Sequence, residues 1–277
     1  MFNYNPITAV DFYKINHINQ YPEGTEYIYS NLTPRSSRLA KKSSFAKDGV
    51  VFFGLQGFLL NIIQDDFLRN FFGKPLEVVK AQWQRRMDSS LGPGAVGFDH
   101  IEALHKLGYL PIRIKAIKEG SFVPSKVPML TITNTLPEFF WVTNFLETLL
   151  SAELWKATTV ATIAAEYKRL LVHYAKKTGT PVEFTEWQGH DFSFRGVGGV
   201  SDTGYSAGHL LSFLGTDTIP AMDYLEQFYN GGSTFLGGSV PASEHSTASC
   251  NILLIEQELK DKGEWNGYTA EEVDKLL

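Results

Sequence analysis

Gly189-His-Asp-Phe-Ser-Phe-Arg-Gly196, followed by Gly215-Thr-Asp-Thr218, is the part of the chain whose reading decides the fold. In each stretch a short strand runs out into polar residues and glycine just before a helical pattern. Around them the sequence alternates: strands at Phe184–Trp187 and Gly215–Thr218, helices over 199–213, 219–229 and near 244–260. That is the texture of βα units. A strand C-terminus opening into such a loop is where barrel folds of this class carry their chemistry. Arg195 offers a bidentate fork to phosphate and Phe192 a flat face for a ring. Asp217 offers an acceptor for a ligand amide or a metal. Plainer roles exist for each: a structural Arg–Asp pair in the first loop, and a cap on the next helix through Thr218 in the second.

A third loop, Gly237-Gly-Ser-Val-Pro-Ala-Ser-Glu-His-Ser-Thr247, places His245 at a helix start, where the dipole favours an incoming anion. A histidine there can act as a base, be phosphorylated, or simply be a polar surface residue. Near the N-terminus, Asp11-Phe-Tyr-Lys-Ile-Asn-His17 crowds Asp11, Tyr13, Lys14 and His17 onto a short helix read over 8–20, with Thr8 as N-cap and Pro22 as the stop. Then come a strand over Thr25–Thr33, a polar loop over 34–48, and helices over 75–90 and 98–107, the second stopped by Gly108. Leu110–Ile117 and Met129–Thr133 read as an antiparallel strand pair, and 137–151 and 158–177 as helices.

The fold class implied is α/β. An N-terminal α+β portion occupies residues 1–150, and the first part of an α/β barrel occupies 151–277, with a soft boundary near 150. Only two or three βα units can be counted, too few for the eight strands of a closed barrel. The chain reaches Leu277 inside a helix start capped by Thr269, so it reads as C-terminally truncated.

Composition narrows the class. The 277 residues are 43% hydrophobic and 20% charged, with net charge −5, which excludes a nucleic-acid footprint. Basic residues gather only in Arg35-Ser-Ser-Arg38-Leu-Ala-Lys41-Lys42. Cys250 is the one cysteine, so there is no intrachain disulfide and no cysteine-rich metal site; no metal-ligating residue is assigned. The start lacks a basic and apolar leader, and the stretch from Phe52 to Ile63 is broken by Gly54, Gln56, Gly57 and Asn61. No membrane contact is expected, and the compartment expected is the cytoplasm.

Taken together, Asp11-Phe-Tyr-Lys…His17…Gln20-Tyr-Pro22, Phe53-Gly-Leu-Gln56, Gly189-His-Asp-Phe…Arg195-Gly-Val197, Gly215-Thr-Asp-Thr218 and Ser239-Val-Pro-Ala…Glu244-His-Ser-Thr247 are similar, in order and spacing, to nicotinamide phosphoribosyltransferases. The resemblance runs from about residue 5 to about 250 and implies a barrel of the type II phosphoribosyltransferase kind. It implies that Phe192 stacks on nicotinamide and that Tyr13, from the second subunit of a homodimer, stacks on the other face. It further implies that Asp217 accepts from the carboxamide, that Arg195 lies beside base and phosphates, and that Arg35 reaches phosphate across the dimer interface. His190, Ser239 and Val240 match positions lining the tunnel behind the base. His245 resembles the histidine that ATP phosphorylates, and Mg²⁺ is expected with the pyrophosphate of phosphoribosyl pyrophosphate. Ser193 and Phe194 stand where the family often has Gly and Tyr. The family's later phosphoribose-cradling segments do not occur here, so a separate C-terminal polypeptide is one expected partner. Two rival readings are a nicotinate phosphoribosyltransferase and a non-catalytic fragment that binds nicotinamide or dimerises.

Overall fold

The computed structural model describes residues 4–36, 48–229, 232 and 234–275. Their contacts divide the chain into two compact units, Met1–Gly238 and Ser239–Leu277.

The first unit is built on an antiparallel sheet of β1 (Tyr29–Leu32), β5 (Leu130–Asn134) and β3 (Ile112–Ala116), in that spatial order. Ile112 faces Asn134 and Ala116 faces Leu130, which is the pair expected from Leu110–Ile117 and Met129–Thr133. Period-2 alternation buries Leu130, Ile132 and Asn134 on one face of the central strand. Asn134 is tolerated there because its amide is satisfied: Oδ1 accepts from the Ile28 N–H at 2.9 Å, and Nδ2 donates to the Glu26 and Leu136 carbonyls at 2.8 and 2.9 Å. A smaller antiparallel pair joins β2 (Gly49–Val51) to β4 (Phe122–Pro124).

Helices Leu76–Leu91 and Asp99–Leu107 form where the 3.6-residue pattern puts them, burying Val79, Trp83 and Met87 on one and Ile101 and Leu104 on the other. Between β2 and these helices, Leu55–Gly57 continues into wide, π-type turns over Phe58–Asp66 and Leu68–Phe72. The buried residues there are Phe58, Ile62, Phe67 and Phe71. Their spacing of four, five and four outruns an ordinary helical turn, and a wider helix keeps all four on the core side.

Several expectations need correcting. Residues 8–20 are not one helix but three single turns, Pro6–Thr8, Phe12–Lys14 and His17–Asn19. Short polar side chains draw the chain into local bonds instead. Asn5 Oδ1 accepts from the Ile7 N–H, Asn19 Nδ2 donates to Asn16 Oδ1, and Asp11 Oδ2 accepts from the distant Thr148 hydroxyl. Phe184–Trp187 is helical rather than a strand, as the turn Val182–Phe184 running into Thr185–Gln188, with the buried Thr185 hydroxyl donating back to the Val182 carbonyl at 2.6 Å. The expected helices over 137–151 and 158–177 become a turn at Pro137–Phe139, a short helix Val142–Phe145 and one long helix, Glu147–Thr178. The boundary expected near 150 falls inside that helix. The polar loop expected over 34–48 lies mostly outside the described residues.

The long helix serves two cores. Leu149, Leu150 and Leu154 pack into the first, with Trp83, Phe67 and Leu130. One turn on, Ala157 and Ala161 pack with Val51, Phe53, Ala207, Ala221 and Leu225. The facing segment is Val200–Leu211, whose 3₁₀ turns approach so closely that a Cβ on Gly208 would lie 2.9 Å from the Ala157 carbonyl oxygen and the Ala161 nitrogen. From this packing emerge β6 (His190–Asp191) and β7 (Gly215–Thr216), a parallel pair in which His190 faces Gly215. Gly238 bridges to the other side of Gly215, also in parallel, and Ile219–Tyr229 forms the following helix.

The second unit carries helix His245–Lys262, then a hairpin of β8 (Glu264–Trp265) and β9 (Tyr268–Thr269). Its turn is Asn266-Gly267, both at positive φ, the pair a two-residue hairpin loop favours. Thr269 caps the short helix Ala270–Asp274 through a reciprocal capping box with Glu272. Among the described residues no helix is long and apolar enough to cross a membrane.

One buried group makes the first unit sensitive to acid. His100 packs edge-on against Trp141 at 4.9 Å and Trp83 at 5.9 Å, its Nε2 without a partner among the described residues. Burial pushes the imidazole down to about 4, with Asp99 opposing weakly. Between its ordinary value and that one the unfolded chain holds the extra proton, so this contribution to stability is complete above about pH 6.5 and is lost as pH falls toward 4. The expected loss is on the order of 2 kcal/mol, after discounting for partial solvent contact. Urea unfolding at pH 7 and pH 4.5 measures it. His100→Phe should flatten the dependence, and an equally steep fall in that variant would remove His100 as its source.

Candidate functional site

Phe192 and Asp217 are the residues that immediately follow β6 and β7, so the parallel pairing delivers both to one edge. With Phe194, Arg195 and Thr218 they line an open cavity of about 770 Å³. The chain there is held by its own short polar groups. The Asp217 N–H donates to the Asp191 carbonyl at 2.8 Å, which extends the parallel ladder by one rung. Asp191 Oδ1 accepts from the Ser193 N–H at 3.1 Å, and the Ser193 and Ser206 hydroxyls share a bond at 2.7 Å. At the far end of the same loop, Asp202 accepts from the Gly198 N–H at 2.6 Å and from the Lys156 ammonium. The loop bearing Phe192, Phe194 and Arg195 is therefore pinned at both ends, while those three side chains stay exposed.

His190 occupies the strand itself. Asp217, when ionised, can only accept, so His190 Nε2–H donates to Asp217 Oδ1, at 2.7 Å. The same imidazole lies against the Phe192 ring, centroids 4.5 Å apart at 33°. A second histidine, His209, lies behind the strand, stacked on Phe213 at 5.0 Å, with Nε2 donating to the Gly215 carbonyl at 3.1 Å. Burial holds it below the usual histidine range, so it is a neutral structural prop.

Arg195 is exposed and makes no ion pair among the described residues, which suits a guanidinium kept for an anionic ligand. Thr218 is fully buried at the start of the Ile219–Tyr229 helix, and its hydroxyl has no partner among the described residues. Its N–H instead donates to the Thr216 hydroxyl at 2.9 Å. Thr218 thus opens the helix through its carbonyl, which accepts from the Ala221 N–H at 3.0 Å, and not through the hydroxyl cap considered in the sequence.

The other expected site residues lie elsewhere. Tyr13 is 61% exposed beside His17 and borders a separate cavity with Phe12, Gln20 and Leu91. It is not among the residues lining the Phe192 cavity. Arg35 borders a third cavity, of about 430 Å³, between β1 and residues 143–151. Ser239, Val240 and His245 belong to the second unit. There Val240 is exposed and His245 opens the helix His245–Lys262 behind the N-cap Glu244, whose capping box is closed by Thr247. Phe194 and Thr218 are cavity-lining residues that sequence reading did not assign to the site; position next to Arg195 and Asp217 was the available signal.

Among the described residues no group of three or more His, Cys, Asp or Glu is arranged to hold a metal ion. The Mg²⁺ expected with pyrophosphate is an ion held largely by phosphate oxygens and water rather than by an all-protein cage, and no step below is routed through it.

Comparison with known proteins bears on family and fold. Residues 5–114 match the family model "Nicotinamide phosphoribosyltransferase, N-terminal domain". A nicotinamide phosphoribosyltransferase of Acinetobacter baylyi is 56% identical over 246 residues, covering 88% of this chain and 48% of that protein. One from Xanthomonas campestris pv. campestris is 33% identical over 255 residues, with the same coverage, 88% and 48%. The chain thus spans about half the length of the curated relatives it matches. In fold it is similar to the crystal structure of human nicotinic acid phosphoribosyltransferase, with a TM-score of 0.55 at 20% identity, over 87% of this chain and 40% of that one.

Proposed function

Since the chain belongs to the nicotinamide phosphoribosyltransferase family, we propose that it forms the base-reading part of an enzyme joining nicotinamide to phosphoribosyl pyrophosphate, with nicotinamide mononucleotide and pyrophosphate as products. The observation that carries this reading is the convergence of Phe192, Arg195 and Asp217 on one cavity at the ends of two parallel strands. In it, β6, β7 and the Gly238 segment open an α/β barrel of the type II phosphoribosyltransferase kind. The remainder of that barrel corresponds to the other half of the relatives' length, on the same or a separate polypeptide.

Phe192 supplies one stacking face for the pyridine ring, worth about 0.5–1.5 kcal/mol beyond its buried area. Tyr13, from the second subunit of a homodimer, supplies the other; its exposure and its place at a separate cavity support a role outside its own chain's site. Asp217 accepts from the carboxamide NH₂ and repels the carboxylate of nicotinate, which favours this reading over the nicotinate enzyme. Arg195 and, across the interface, Arg35 stabilise the departing pyrophosphate, since cations at a leaving anion are more valuable as its charge develops. Ser239 and Val240 match family positions behind the base. His245, at a helix N-terminus, takes the phosphoryl group of ATP and couples its hydrolysis to product formation. A non-catalytic fragment that only binds nicotinamide is the second reading, favoured by the matched length alone.

Kinetics with both bases tests the assignment. In the active protein, Asp217→Ala should cost nicotinamide about 2 kcal/mol in kcat/KM, the loss of a charge-assisted hydrogen bond. Nicotinate should lose nothing. An unchanged ratio between the two bases would mean that Asp217 does not read the carboxamide. Formation of nicotinamide mononucleotide by residues 1–277, alone and with the rest of a relative's sequence supplied, separates an enzyme from a binding fragment.

A further inference from the structure

We propose that His190 is the positioning residue for base selection: it orients the Asp217 carboxylate and the Phe192 ring together, and so sets the preference for a carboxamide over a carboxylate. The proposal deepens the nicotinamide reading and rests on it.

Three observations carry it. His190 Nε2 donates to Asp217 Oδ1 at 2.7 Å, and its ring packs on Phe192 at 4.5 Å. Both partners are otherwise well exposed, Phe192 at 66% and the Asp217 side chain at 45%. A ligand that must orient an exposed carboxylate and an exposed ring relative to one another spends binding energy on the ordering. One imidazole touching both removes that cost in advance and fixes the angle between the acceptor and the stacking plane.

The third observation is the backbone under the ring. A Cβ on Gly215 would lie 2.7 Å from His190 Nδ1 and 3.0 Å from the Gly189 carbonyl oxygen. The glycine facing His190 across the parallel pair therefore leaves the space in which the imidazole lies. Behind it, the His209 bond to the Gly215 carbonyl keeps that strand in place. Sequence and packing thus hold one rotamer of His190, aimed at Asp217, and the amide-reading carboxylate takes its direction from it.

Selection follows from geometry. An oriented carboxylate rewards a donor in the plane of the stacked ring and faces an incoming carboxylate at short range. One that has lost the His190 bond is no longer held in that direction and discriminates less between the two. Losing His190 should therefore affect the two bases unequally.

The test measures nicotinamide and nicotinate binding to residues 1–277 by NMR titration, in wild type and in His190→Ala, His190→Gln and Gly215→Ala. Each variant is first checked for wild-type Tm and amide spectrum. The expected result is a wild-type preference for nicotinamide that falls about tenfold in His190→Ala, equivalent to losing one oriented hydrogen bond. Glutamine, which can still present an N–H to Asp217, should recover much of it. Gly215→Ala should mimic the alanine variant with His190 intact. Equal weakening of both bases, or an unchanged ratio, would overturn the proposal and leave the nicotinamide reading standing. A wild-type chain that binds neither base, or binds both alike, would overturn the nicotinamide reading and the role of His190 with it. If His190→Ala does not fold, the Gly215→Ala and His190→Gln ratios decide the matter alone.

Discussion

Gly208→Val should destabilise the chain by roughly 3 kcal/mol, at the upper end of the range for overpacked cores. The residue sits in the 3₁₀ segment that crosses the long helix, and the atoms a Cβ would meet are the Ala157 carbonyl oxygen and the Ala161 nitrogen, both at 2.9 Å. Those are main-chain atoms of a continuous helix, so no rotamer change makes room. The seam on either side is lined with alanine, Ala157, Ala161, Ala207 and Ala221, all essentially buried. Valine would force the two segments apart and strip contact from the whole seam. Because the crossing segment begins just beyond the Phe192–Arg195 loop, base binding should weaken as well. A shift in the urea midpoint at constant m-value is the expected readout. A midpoint within error of wild type would mean the segments part without cost, contrary to this packing. Gly208→Ala should lie between the two.

Glu119→Ala should cost about 3 kcal/mol, for an electrostatic rather than a steric reason. One carboxylate accepts from the Gly54 N–H at 2.6 Å, the Gln56 N–H at 2.7 Å and the Tyr229 hydroxyl at 2.9 Å. It thereby satisfies the opening turn of the helix that starts at Leu55 and ties it to the end of Ile219–Tyr229. Burial and the nearby Glu119 both raise Tyr229 well above the usual tyrosine range, so its hydroxyl remains a donor at every accessible pH. With the carboxylate gone, that donor and two helix N–H groups lose their acceptor, and each one left buried costs about 1–3 kcal/mol. Glu119→Gln keeps two of the three geometries and should recover about half of the loss. If alanine and glutamine prove equally mild by urea unfolding, water is replacing the carboxylate and the tie is not structural.

Much of this was legible in the sequence, and the boundary of legibility has physical causes. Regular helices such as 76–91 and 99–107 announce themselves because one face must be buried every 3.6 residues. The Leu110–Ile117 and Met129–Thr133 pair was visible because alternation and turn residues are local. The loops bearing Phe192 and Asp217 could be placed at strand ends from strand–loop–helix order, although β6 proved to start at His190 rather than at Phe184. The wide turns over Phe58–Phe72 could not be read, because the burial period itself had changed. The bond between His190 and Asp217 spans 27 residues and that between Glu119 and Tyr229 spans 110. No local pattern encodes such a meeting; only packing does. Asp202, which pins the Arg195 loop, has no marker in its own neighbourhood either.

The helix from Glu147 to Thr178 has a consequence for how the first unit comes apart. Leu149, Leu150 and Leu154 anchor it among the aromatic residues near the sheet, and Ala157 and Ala161 anchor it against Val51, Phe53 and the Val200–Leu211 segment that follows the Phe192–Arg195 loop. Neither core can melt while the other keeps its share of the helix intact, so the two should open as one cooperative element rather than as independent foldons. Amide hydrogens of Leu154 and Ala161 should then exchange with deuterium at a common, slow rate. A base docked between Phe192 and Asp217 should slow exchange not only nearby but also across the distant sheet of β1, β5 and β3, whose protection would register occupancy of a cavity it does not touch.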